Sequence, residues 1–117
     1  MPARIHSYTG TVQHGSKRAT ALGFHTLNIP LEGTTFSGIY AAKVKIENAE
    51  YRAAAFADPN RKILEAHLLD FSGELYGKEA TIELHKKIRE SEKFTDDSQL
   101  REAIASDVKA VREYFNL

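Results

Sequence analysis

Residues 64–77 read LEAHLLDFSGELYG, and this stretch decides the fold. Its first half alternates as a β-strand requires, because successive side chains on a strand point to opposite faces. Leu64, Ala66 and Leu68 share one face, and Glu65, His67, Leu69 and Phe71 share the other. A fully solvated face would be more polar than that second set. A carboxylate in semi-apolar surroundings beside an imidazole is a candidate general base, since desolvation raises its pKa toward the working pH. The plainer alternative is an exposed strand face with a chance Glu/His pair.

Outward from this strand, residues 5–14 are rich in β-formers (Ile5, Tyr8, Thr9, Thr11, Val12) and predict a first strand. Gly10 marks a bulge or a close approach within it. Residues 15–21 (GSKRATA) read as a polar loop centred on Lys17 and Arg18, which opens into a strand ended by Pro30. Residues 38–46 alternate, with Tyr40, Ala42, Val44 and Ile46 inward and Lys43 and Lys45 outward; residues 51–56 supply a hairpin partner. Asp58-Pro59-Asn60 and Ser72-Gly73 are turns by composition. Residues 80–89 then place Ile82, Leu84 and Ile88 on one side and Thr81, Glu83, His85, Lys87 and Arg89 on the other. After that the period lengthens. Leu100, Ile104, Val108, Val111 and Phe115 recur at helical spacing, and Asp96 with Gln99 fits a capping box that starts the helix. Six strands followed by one helix predict a mainly β protein, a six-stranded antiparallel barrel with the helix packed on it. An open sheet covered by that helix satisfies the same periodicity.

The 117 residues suit a single domain, spanning 1–117. Lys+Arg and Asp+Glu number 16 each, so the formal net charge is zero, which argues against general binding to nucleic acid or to a membrane surface. With no cysteine there are neither disulfides nor thiolate metal sites, and a reducing, cytoplasmic location is the expectation. No apolar run approaches the roughly 18 residues of a membrane span, and the N-terminus MPARIHSYTG lacks the apolar core of a secretory signal.

Residues 14–28 hold a second candidate site. Small residues, two cations and Gly23 can bring backbone N–H groups close to phosphate oxygens. Thr26 and Asn28 are two apart on a strand and project from one face, and neutral oxygens of this kind suit Mg²⁺ held jointly with substrate phosphates. A polar hairpin loop followed by an edge strand explains the same residues, since neither GxxxxGK[ST] nor GxGxxG is present.

Five motifs occur in order: VxHG (Val12, His14, Gly15), LGFxTxNI (residues 22–29), GIYA (38–41), LExHLLDFxGxLYG (64–77) and RxxxKF (89–94). Together they resemble the riboflavin kinase (flavokinase) family over about residues 8–115. The resemblance implies a Greek-key barrel with a C-terminal helix, and transfer of the ATP γ-phosphate to the ribityl hydroxyl of riboflavin to give FMN. It assigns Glu65 as the base, and Thr26 and Asn28 to Mg²⁺ and the nucleotide phosphates. Gly15, Lys17, Arg18 and Gly23 fall in its phosphate loop, and Arg89 and Phe94 on its flavin side. The expected partners are riboflavin and ATP, for a stand-alone kinase read as a monomer with no nucleic acid and no membrane. The chain departs from the family pattern at Ala19 and Thr20, where a glycine and an arginine are expected, at His25 and Leu27, and at residues 56–59. A Cβ where the loop needs positive φ would be strained. The alternative function is therefore a catalytically impaired flavin- or nucleotide-binding domain of the same fold; a barrel kept only for protein contacts is a third.

Overall fold

The computed structural model describes residues 6–15, 17–34, 36–71, 73 and 75–117. Ile5, at the start of the expected first strand, and Ser72, in an expected turn, lie outside the described residues. In chain order the elements are β1 (His6–Thr11), β2 (Gln13–His14), α1 (Lys17–Ala21), β3 (Thr26–Pro30), β4 (Gly38–Ile46), β5 (Ala49–Asp58), β6 (Ile63–Leu68), β7 (Glu79–Arg89) and α2 (Asp97–Phe115).

β6 alternates as expected, with Leu64, Ala66 and Leu68 buried and Glu65 and His67 half-buried on the opposite face. The alternation ends at Asp70, whose φ of +57° turns the chain. Leu69 keeps to the Glu65 side, but Phe71 returns to the main core and meets Tyr51 edge-on. Placing Phe71 beside Glu65 was therefore wrong, because a period of two holds only while the backbone stays extended.

The antiparallel sheet runs β1-β7-β4-β5-β6-β3-β2 and has seven strands where six were expected. The first strand divides at Val12. Its N–H donates to the Lys78 carbonyl and its carbonyl accepts from Gly77, so Val12 leaves the ladder while its side chain enters the core. β1 then pairs with β7 at one edge, and β2 pairs with β3 at the other. The two edges are thus successive pieces of one chain segment, and the sheet curls into a half-barrel. A Cβ on Gly10 would lie 3.1 Å from Pro30 Cδ, the close approach that this glycine permits. Ala53, Ala55, Ala57, Ala66 and Ala80 are fully buried among Ile29, Val44, Leu64 and Ile82. Alternating small and large side chains on the inner face let a tightly curled sheet fill its interior.

α2 covers part of the outer face. Asp96 caps it, accepting from the N–H groups of Ser98 at 2.7 Å and Gln99 at 3.4 Å. Val108, Val111 and Phe115 pack against Ala41, Ala54, Leu69 and Ile88. Ile88 was expected beside Ile82 and Leu84. Two irregularities in the β4–β7 register, between Ile39 and Tyr40 and between Ala41 and Ala42, send it to the helix side instead. Among the described residues, no helix is long and apolar enough to cross a membrane.

α1 forms where a loop was expected. Lys, Arg and Ala favour helix, and Gly23, at φ +95°, ends it with its N–H on the Thr20 carbonyl. Ala19 and Thr20 therefore lie in right-handed helix, and the strain expected from a Cβ there does not arise.

Candidate active site

β3 runs antiparallel to β6 with Asn28 opposite Glu65 and Thr26 opposite His67. Opposed residues of an antiparallel pair project from the same face, so these four side chains form one patch on the outer face of the sheet. The Thr26 hydroxyl donates to Glu65 Oε2 at 3.2 Å. That bond orients the carboxylate. Asn28 Oδ1 is buried, and among the described residues nothing donates to it. An unpaired buried carbonyl oxygen costs about 1–3 kcal/mol, so it is a natural ligand for an incoming donor or cation. Among the described residues no three His, Cys, Asp or Glu side chains gather as a metal site, so a cation here would rely on neutral oxygens and on a substrate's own phosphates. Thr26 Oγ1 and Asn28 Oδ1 fit that donor set.

His67 is held in place by its neighbours. Its Nδ1 donates to the His25 carbonyl oxygen at 2.9 Å, since a carbonyl can only accept, and the Phe24 ring stands edge-on to it at 5.4 Å. The phosphate-loop candidates approach the patch from the β3 side. A Cβ on Gly15 would lie 2.0 Å from Thr26 Oγ1, so only glycine lets the loop press on Thr26. Lys17 is exposed on α1. Arg18 points elsewhere, donating from Nε to Asp97 Oδ1 at 2.8 Å and from Nη1 to the Phe94 carbonyl at 2.5 Å.

The flavin-side candidates sit against α2. Arg89 donates from Nε and Nη2 to the two Asp107 oxygens at 2.8 and 2.9 Å, and these bonds raise its pKa above the ordinary arginine value. Phe94 lies under the same guanidinium, 5.9 Å from ring centre to Cζ. Between the end of β6 and α2 opens a cleft of about 350 Å³, lined by His67, Leu68, Leu69, Phe71 and Val108 with the ion pair of Asp70 and Arg112. Hydrogen bonds from Arg112 hold the Asp70 carboxyl below the usual carboxylate range. A carboxyl with a depressed folded pKa adds stability above its unfolded pKa and loses it as pH falls through the folded value, so this tie persists at neutral pH and lets go only in acid.

Asp107, Arg112 and Phe24 were not singled out from sequence. Asp107 did leave a signal. It stands three residues after Ile104 and four before Val111, a carboxylate inside the apolar stripe of a helix, which calls for a buried cation.

A family model described as Flavokinase: Riboflavin kinase matches residues 2–115. The bifunctional riboflavin kinase/FMN adenylyltransferase of Pseudomonas fluorescens is 36% identical over 120 residues, covering 95% of this chain and 38% of that protein. The chain spans between 18% and 40% of the length of the first curated relatives it matches. A macrolide-efflux protein from Streptococcus pneumoniae superimposes with a TM-score of 0.77 at 27% identity, covering 91% of this chain and 38% of that one. The riboflavin kinase from Trypanosoma brucei gives a TM-score of 0.71 at 24% identity, covering 97% and 82%, a likeness of fold.

Proposed function

The chain belongs to the riboflavin kinase family, and on that premise we propose that it transfers the γ-phosphate of ATP to the terminal ribityl hydroxyl of riboflavin, giving FMN. One observation carries the reading: Asn28 faces Glu65 across the β3–β6 pair while the Thr26 hydroxyl holds Glu65 Oε2 at 3.2 Å. Phosphoryl transfer needs alignment, charge neutralisation and an acceptor for the hydroxyl proton. In the proposed step the ribityl oxygen bonds to the γ-phosphorus and the bond from that phosphorus to the β–γ bridging oxygen breaks. ADP leaves with the electron pair, and the hydroxyl proton passes to the Glu65 carboxylate. Mg²⁺ arriving with ATP would be held by Thr26 Oγ1 and Asn28 Oδ1, and would offset phosphate charge. Gly15, Lys17 and Gly23 border the phosphate side. The flat, largely apolar flavin ring suits the cleft beside His67, with Phe94 as a further contact and Arg89 fixing that segment to α2.

The runner-up is a domain of this fold that binds flavin or nucleotide without turnover. Its sequence support, the altered loop at Ala19 and Thr20, weakens because both residues sit unstrained in α1. Chromatographic detection of FMN from riboflavin and MgATP, with a flavin-fluorescence titration, separates the two. Steady FMN supports the kinase, binding without turnover supports the runner-up, and neither signal removes both. Asn28→Ala is expected to raise the KM for MgATP by about tenfold, the scale of one charge-assisted contact, while flavin affinity changes less. A larger loss of flavin affinity than of MgATP affinity would overturn this placement of Asn28.

A further inference from the structure

We propose that Arg18 is a positioning residue that braces the phosphate loop against the start of α2, and that it does not bind phosphate. The catalytic readout of this idea rests on the kinase reading above; its structural readout does not.

The loop already leans on the site at two points. Gly15 lies against Thr26, and Phe24, whose N–H returns to the Ala19 carbonyl at 2.9 Å, sets its ring on His67. Arg18 holds it to another part of the fold. Its two partners, the Asp97 carboxylate and the Phe94 carbonyl, are 79 and 76 residues away in the chain. One guanidinium thus joins the loop to the segment between β7 and α2. That segment is anchored at both ends, by Arg89 on Asp107 and by Asp96 capping α2. A phosphate contact would have to share this guanidinium, whose Nε and Nη1 already serve the Asp97 carboxylate and the Phe94 carbonyl.

The Arg18 and Asp97 side chains are 42% and 66% exposed, so the pair is weak and screened by salt. A weak brace barely changes global stability, yet it can bias a short loop between two poses by a few-fold.

The test uses Arg18→Ala, Asp97→Asn and the double variant in the full chain. As a brace, each single change raises the KM for MgATP by about threefold at low salt with kcat little altered, and the double variant is no worse than either. The difference disappears above about 0.5 M salt. The reversed pair, Arg18→Asp with Asp97→Arg, recovers part of the loss. Without substrate, amide hydrogen exchange at Leu22, Gly23 and Phe24 accelerates in both single variants. A phosphate ligand behaves oppositely: Asp97→Asn frees Arg18 and leaves KM unchanged or lower, the reversed pair stays as poor as Arg18→Ala, and the amides do not change. That pattern would overturn the brace. If the unaltered protein forms no FMN, the kinase reading falls, and the exchange rates alone decide for or against the brace.

Discussion

Glu65→Gln is expected to lower the turnover of riboflavin phosphorylation by about 10²-fold or more, with riboflavin affinity within about twofold of the unaltered protein. The substitution is nearly isosteric. A carboxamide oxygen at the same place still accepts from the Thr26 hydroxyl, which now meets Glu65 Oε2 at 3.2 Å, so the patch keeps its shape. What is lost is the capacity to take the ribityl proton as the new O–P bond forms. The effect therefore falls on kcat. Single-turnover FMN formation and a parallel fluorescence titration read the two quantities separately. Unchanged turnover would remove Glu65 as the base. A matching loss of flavin binding would recast it as a binding residue.

The second large effect is on stability. Asp107→Ala is expected to destabilise the fold by about 2–4 kcal/mol, read as a shift in the urea midpoint. Asp107 is 5% exposed and receives two hydrogen bonds from Arg89, whose side chain is 28% exposed. Removing one partner of a buried pair leaves the other charge uncompensated, which costs about 3–5 kcal/mol in a fully buried setting and less here because Arg89 reaches water. Replacing both, as Asp107→Leu with Arg89→Met, is expected to recover most of the loss, since apolar packing substitutes for a buried ion pair. An unchanged midpoint in Asp107→Ala would mean that the hold on α2 does not depend on this pair. Because the same pair anchors the segment carrying Phe94, the single variant is also expected to weaken flavin binding.

Much of this was legible in the chain. Alternation located β6 and the inner faces of β4 and β7, and the change of period located α2 together with its Asp96 cap. Both are local signals: a side chain's direction follows from the backbone conformation of its own few residues. The motifs around Thr26, Asn28 and Glu65 carried the resemblance to the riboflavin kinase family, to which the chain belongs. Two of the local signals failed because a distant partner had intervened. Val12 divides the first strand because Gly77 and Lys78 bond to it, and Ile88 changes face because β7 slips against β4. α1 forms with Ala19 buried by surroundings that no window of residues 15–21 contains.

The sequence by itself therefore determined the main strands and the C-terminal helix, most of the side chains that face the core, and a set of polar candidates for phosphoryl transfer. Only the tertiary structure decided how these meet. Asn28 lies opposite Glu65, and Arg89 grips Asp107. Arg18 spans 79 residues to reach Asp97. The reason is physical: periodicity is a property of neighbours along the chain, while register and ion pairing depend on which surfaces can be buried together once the whole chain has curled.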